Sequence, residues 1–196
     1  LYLDSYLVVA DDVATLWATD LGGKAVAGAP DLLALAGNDR SSGYVNAGVL
    51  VMDLDRWRRD GLAKRILAYA RQQGKRLEFQ DQDAINAVLA GDIAHLDLRW
   101  NVQTHMYRCA RSMLGDAFGP VLRARRDPGI IHYITHKPWT FRSRTLRRRD
   151  YFRHQARTPW HGSVPPLDAV AALEYRIDRA LVRAGIDRTW IEFQRE

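Results

Sequence analysis

The sequence alternates short apolar runs with amphipathic stretches, and that alternation limits the chain to few folds. Leu7-Val8-Val9, Ala25 to Ala29, Tyr44 to Met52, Ile93 to Leu98 and Ile130-Ile131-His132-Tyr133 are the central runs. Runs of this length suit strands buried on both faces. Between them, Leu62 to Gln73 puts Leu62, Ile66, Leu67 and Ala70 on one helical face. Ala84 to Ala90 reads as a helix stopped by Gly91, and Asp11-Asp12 can cap a short helix at Val13 to Trp17. Leu32 to Gly43 carries loop residues, and Leu114 to Asp127 looks irregular. Leu167 to Ala184 repeats the amphipathic pattern through Val170, Leu173, Ile177, Leu181 and Val182. Short strands alternating with helices give an α/β fold.

The first residues extend the pattern. Leu1-Tyr2-Leu3 runs straight into Asp4, which predicts a strand buried on both faces with an acid at its carboxyl end. Ligand crevices of open α/β sheets lie at such ends. Asp4 therefore either holds a metal or a substrate hydroxyl, or merely ends the strand in a turn. The chain has no initiator Met and starts inside this strand, so an N-terminal portion is expected to be missing.

A length of 196 residues suits one domain with a tail. The single cysteine, Cys109, excludes an intrachain disulfide. No apolar run reaches the roughly 20 residues that a membrane-spanning helix needs, and no signal peptide is visible. The net charge of +6 is unevenly placed. From Pro120 to Trp160 eleven Lys or Arg face two Asp, a local balance of +9, which leaves the rest slightly acidic at −3. A basic segment of this kind is a solvated face or a surface for phosphates or anionic lipid.

Four clusters lie just past the apolar runs or at a helix start: Asp4, Asn46-Ala47-Gly48, Asp81-Gln82-Asp83, and His132 with Lys137. Each has a bland explanation. Small residues ease a strand entry, Asp81 would serve as an N-cap, Asp83 suits a helix dipole, and His132 sits after two isoleucines like a core histidine.

Together, in this order and spacing, they resemble family 8 glycosyltransferases, retaining enzymes of the GT-A type. The resemblance is carried by Tyr2-Leu3-Asp4-Ser5, Tyr44 to Leu50, Gln80 to Asn86, Trp100-Asn101, and Ile131-His132-Tyr133 leading to Lys137-Pro138-Trp139. Thr158-Pro159-Trp160 is similar to a segment of bacterial members that build surface polysaccharide. The resemblance covers about residues 1–160. It implies a GT-A-like mixed sheet flanked by helices, lacking the N-terminal nucleotide-binding strands, with a basic C-terminal helical extension. Residues 1–140 would be the C-terminal part of the transferase domain, and 141–196 the basic, aromatic segment with its amphipathic helix. Lacking the uridine site, the chain alone would bind a UDP-sugar weakly and expose an unpaired sheet edge.

The resemblance also assigns roles. A hexose, glucose or galactose, would pass from UDP-glucose or UDP-galactose to a glycan or lipopolysaccharide acceptor with retention of configuration. Charge grows on the leaving diphosphate as the glycosidic bond breaks, and a divalent cation and a lysine stabilise it. Asp4 and His132 match the first acid of an Asp-x-Asp motif and the later His, both ligands for Mn²⁺. Lys137 would meet the β-phosphate. Asn46, Ala47, Gly48, Asp81 and Gln82 would bind the donor sugar. Double displacement would use Asp81 as nucleophile; same-face attack would need only a positioning group such as Gln82. Asp31 matches an acceptor-binding position, and equally reads as a turn acid after Pro30.

Two departures stand out. Tyr6 replaces the second acid of the metal motif, and a phenol with an ordinary pKa near ~10 is a poor Mn²⁺ ligand at neutral pH. Ile134-Thr135-His136 is shorter than the family's loop, and His136 reads as an exposed loop histidine. Arg142, Arg144, Arg147, Arg148, Arg149, Arg153 and Arg157 are interleaved with Phe141, Tyr151, Phe152 and Trp160. That segment, 141–160, suggests peripheral contact of a cytoplasmic protein with an anionic membrane face, or a solvated basic face. Three classes follow: a retaining hexosyltransferase, a pseudoenzyme impaired by Tyr6, and, far behind, a nucleic-acid-binding module. Nucleic acid is not expected as a partner, because binding it would leave the four clusters unexplained.

Overall fold

The computed structural model describes residues 1–37, 43–140, 143 and 145–161. The amphipathic stretch Leu167 to Ala184 and the residues Phe141, Arg142 and Arg144 lie outside the described residues. The chain divides into two compact units, Leu1–Ile134 and Thr135–Glu196.

In the first unit the strands are β1 (Tyr2–Leu3), β2 (Leu7–Val9), β3 (Val26–Pro30), β4 (Val45–Met52), β5 (Ile93–His95), β6 (Val102–Gln103) and β7 (Ile130–His132). The helices are α1 (Ala14–Trp17), α2 (Leu32–Leu35), α3 (Leu54–Arg59), α4 (Leu62–Gln73), α5 (Gln80–Val88), α6 (Arg111–Leu114) and α7 (Phe118–Arg126). The strands form two mixed sheets, ordered β1-β4-β3-β5 and β2-β7-β6. β4 is antiparallel to both β1 and β3, β5 pairs in parallel with β3 and β6 with β7, and β2 runs antiparallel to β7.

The opening run differs from its expectation. β1 ends just before Asp4 as expected, but it is an edge strand rather than one buried on both faces; β2 lies in the other sheet, with Asp4-Ser5-Tyr6 as the crossing between them. Tyr2 is 44% exposed because β1 is an edge strand. The Asp4 amide donates to the Gly48 carbonyl (2.9 Å), and Tyr133 donates to the Tyr6 carbonyl (3.0 Å), so the crossing is tied to both sheets.

β4 carries the feature that shapes the site. Gly28 of β3 pairs with Leu50, and a regular ladder would bring Pro30 to Gly48; instead Pro30 pairs with Val45. Three extra residues of β4 are looped into this bulge, which spans Asn46-Ala47-Gly48. Bulges of this kind re-aim side chains and interrupt ladder bonds. Val45, Ala47 and Leu50 face a core with Leu62 and Ile66 of α4 and Ala84 of α5. Val49 and Val51 face the opposite core, with Leu16, Trp100 and Ile130.

Two helical readings change. Leu67 is exposed, because α4 buries Leu62 and Ile66 and packs Tyr69 and Ala70 beside them, and Leu67 falls about 100° beyond Ile66. Within Leu114 to Asp127 there is a regular helix, α7, which buries Val121 and Ala124. Pro120 stands in its first turn, where no backbone donor is needed. In the second unit, α8 (Arg148–Gln155) packs Tyr151 against Trp139 at 5.2 Å, and Asp150 pairs with Arg147 (2.8 Å) and Arg153 (3.4 Å). Among the described residues no helix is long and apolar enough to cross a membrane.

Candidate active site

The bulge leaves the Ala47 and Gly48 amides without ladder partners on β3, and side-chain amides replace them. Gln82 Oε1 accepts from the Ala47 amide (3.1 Å), and Asn46 Oδ1 accepts from the Gly48 amide (3.0 Å). One turn after Gln82 on α5, Asn86 accepts from Val45 N and donates to Val45 O, both at 2.8 Å. Gln82 and Asn86 sit four residues apart, which puts both on the helix face toward β4.

Asp31, just past β3, is buried beneath these amides. Its Oδ2 accepts from Asn46 Nδ2 (3.0 Å) and Gln82 Nε2 (3.3 Å), and its Oδ1 caps α2 through Leu33 N (2.9 Å). Tyr44 takes a further Gln82 bond at 3.2 Å and donates its hydroxyl to Asp83. The Asp83 carboxylate also accepts from Phe79 N (2.7 Å). It is therefore Asp83, not Asp81, that satisfies the start of α5, while Asp81 stays exposed in the first turn. Gln80, at φ 41°, holds the left-handed backbone that turns the chain into this helix.

The second half of the site lies where β1 and β7 end. Asn101, fully buried after a short 3₁₀ turn at Leu98–Asn101, donates to Asn46 Oδ1 (2.9 Å) and faces His132 Nδ1 (2.9 Å). His132 is 1% exposed, and its Nε2 approaches Asp4 Oδ2 at 3.3 Å without a hydrogen-bond partner. With Asn101 holding Nδ1, Nε2 is the ring nitrogen left to face the carboxylate, an arrangement that a cation between them would satisfy. Gly48 floors the pair: a Cβ there would lie 2.2 Å from His132 Cε1 and 2.9 Å from Asp4 Oδ2.

Two phenols complete this half. Tyr2 donates to Asp4 Oδ1 (2.9 Å), and Tyr6 stacks on the His132 ring at 5.1 Å. The hydrogen bond to Asp4, then burial, pushes Tyr2 up to about 12; Tyr6 rises further, through burial and its own hydrogen bond to Asp4. Both phenols thus stay protonated and donate. Burial would lift the Asp4 carboxyl, and the Tyr2 and Tyr6 hydroxyls that donate to it act the other way. The exposed Asp81 contributes to raising both phenols, which puts it in electrostatic reach of this cluster.

Asp4, Asp31, Asn46, Ala47, Gly48, Gln82 and His132 therefore form one connected network, with Asp81 at its edge. Lys137 belongs to the second unit, in a turn closed by Thr140 N to Lys137 O (3.1 Å), and His136 is exposed. The roles of Asn101, Asn86, Tyr44 and Tyr2 went unassigned in the sequence. The spacing of Gln82 and Asn86 was the one available signal. Among the described residues no three His, Cys, Asp or Glu converge on a metal position. Asp4 and the bare Nε2 of His132 are donors of the kinds that a divalent cation such as Mn²⁺ accepts.

The sequence profile of glycosyl transferase family 8 matches residues 1–143. General stress protein A of Bacillus subtilis is 27% identical over 173 residues, 82% of this chain and 59% of that protein. Probable galacturonosyltransferase-like 7 of Arabidopsis thaliana is 38% identical over 128 residues, 52% of this chain and 33% of its own length. The chain therefore spans well under two thirds of these relatives. Among solved structures, galactosyltransferase LgtC in complex with donor and acceptor sugar analogues is 25% identical, with a TM-score of 0.63, over 88% of this chain and 64% of LgtC. A glutamine-to-glutamate active-site mutant of LgtC is 26% identical with a TM-score of 0.66, over 84% of this chain and 62% of LgtC. A mixed sheet flanked by helices, a bulged strand bearing Asn46-Ala47-Gly48, and the profile match over most of the chain lead to one conclusion: the chain belongs to glycosyltransferase family 8.

Proposed function

We propose that this protein transfers a hexose, glucose or galactose, from a UDP-sugar to a saccharide acceptor with retention of configuration. The observation that carries the reading is the buried His132 Nε2, aimed at Asp4 with no hydrogen-bond partner. Asp4 and His132 would hold Mn²⁺, which supplies charge stabilisation for the departing diphosphate when bound. Lys137 would add a second positive charge there. Asn46, Ala47, Gly48 and Gln82 would line the donor-sugar side, where the bulge brings their polar groups together. Gln82 is supported as a reaction-side group because an LgtC glutamine is named as an active-site residue. Asp81, exposed at the start of α5, is the carboxylate for a double displacement; same-face attack would use Gln82 for positioning.

The acceptor would be a glycan or lipid-linked saccharide. Arg149, Arg153 and Arg157 of segment 141–160 would let the protein approach the inner face of the cytoplasmic membrane peripherally. Residues 1–140 would form the transferase part and 141–196 the basic segment. The test is UDP release from UDP-glucose or UDP-galactose with Mn²⁺. The reading expects turnover that chelation abolishes and that Gln82→Ala and Asp81→Asn reduce by about a hundredfold or more; metal-independent or absent turnover would sink it.

One observation favours a second reading. Tyr6 stands where the family has an acid, and with Tyr2 it already donates to Asp4. A catalytically impaired member that binds sugar without transferring it would fit that arrangement. Restored turnover in Tyr6→Asp, from an inactive parent, would establish it.

A further inference from the structure

The amide directions in the buried network are set by its ends. Asp31 can only accept, so Asn46 turns Nδ2 to it at 3.0 Å. The Gly48 amide can only donate, and Asn46 Oδ1 receives it at 3.0 Å. Asn46 Oδ1 therefore also faces Asn101, which must offer Nδ2 at 2.9 Å. That leaves Asn101 Oδ1 to meet His132 Nδ1 at 2.9 Å, and an acceptor there requires the Nδ1 proton. Nε2 is left bare toward Asp4.

We infer that Asn101 is a positioning residue that holds His132 as its Nδ1–H tautomer and presents the Nε2 lone pair toward Asp4. The inference rests on the metal-binding reading above for its purpose, and on geometry alone for the tautomer. Asn101 is fully buried and acts only through its neighbours. Its 3₁₀ turn is fixed against the entry to β7, where Gly129 N donates to Arg99 O at 2.8 Å. A Cβ on Gly129 would meet the Trp100 ring at 2.6 Å, so the turn and strand sit at contact distance. Partners of this kind on the second ring nitrogen fix the tautomer and orientation of a metal-binding histidine. Because the same side chain bonds Asn46, the sugar-side amides and the cation-side ring are held in one register.

The experiment combines long-range ¹H–¹⁵N correlation spectra of histidine-labelled protein, taken where the ring is neutral, with Mn²⁺ titration followed by electron paramagnetic resonance. The wild type should show the Nδ1–H pattern for His132. Asn101→Leu keeps the volume and removes both bonds; the pattern should move toward Nε2–H, the form neutral imidazole favours in water. Its Mn²⁺ affinity should fall by about ten- to a hundredfold. Asn101→Asp still accepts from Nδ1–H but cannot donate to Asn46 Oδ1, so it should keep the wild-type tautomer pattern while losing some stability. An Nε2–H pattern in the wild type, or an unchanged pattern in Asn101→Leu, would overturn the inference. A wild type with the Nδ1–H pattern that binds no Mn²⁺ supports the tautomer relay and removes the cation reading instead.

Discussion

The two sides of Asn101 differ in how their polar groups are satisfied. On one side, Asp31, Asn46, Gln82 and Asn86 bond one another and the backbone of the β4 bulge, so the amides both hold the bulge and face the site. On the other, His132 Nε2 and Asp4 meet at 3.3 Å without a bond between them. A satisfied buried network is rigid and specifies one arrangement. An unsatisfied buried atom is unfavourable unless something binds it. On the function proposed above, the first side would be scaffold and sugar platform, and the second would take the cation.

The strongest way to break this contrast is Gly48→Ala, since Gly48 lies under both sides. The added Cβ would press on His132 and Asp4. We expect Mn²⁺ affinity to drop by about a hundredfold and stability by about 1–3 kcal/mol, read by metal titration and urea unfolding. Asn86→Leu acts on the scaffold alone. It leaves Val45 N and O without their 2.8 Å partners and should lower stability by about 2–5 kcal/mol. If urea unfolding showed no loss, the amides would not be what holds the bulge.

Tyr6→Asp sharpens the cation side by restoring a second carboxylate in place of the ring stacked on His132. A tenfold gain in Mn²⁺ affinity is the expected order of magnitude, about 1.4 kcal/mol, because ligand charge count tunes such sites. A weaker-binding variant would mean that the stacked phenol orients His132 more than the acid helps. The smallest effect belongs to Asp31→Asn, which removes the charge beneath Asn46 and Gln82. Stability should fall by about 1 kcal/mol, and the donor KM should rise a few-fold while the acceptor KM holds. A rise confined to the acceptor KM would place Asp31 at the acceptor instead.

Much of the site was legible because its residue types have few other uses in that order. Asn46-Ala47-Gly48 and Asp81-Gln82-Asp83 stand out as polar clusters beside apolar runs, and the alternating runs give the α/β class. Helix faces were less legible: Leu67 and Ile66 look alike to periodicity, and only packing against Ala84 and Val45 separates them. Pro120 hid α7, because a breaker in the first helical turn looks like a breaker anywhere else. Nothing local marks the role of Asn101, since its partners, Asn46 and His132, lie 55 and 31 residues away.

By itself the sequence determined the class of fold, because apolar periodicity is a local property, and its resemblance to family 8 supplied the chemical types expected at the site. Only the tertiary structure decided that the strands on either side of Asp4-Ser5-Tyr6 lie in different sheets. It alone placed the three-residue slip of β4 at Asn46-Ala47-Gly48, and with it which amides meet which backbone groups. Those outcomes depend on hydrogen-bond direction and on close approach, such as the space Gly48 leaves for His132. Residue spacing along the chain carries no record of either.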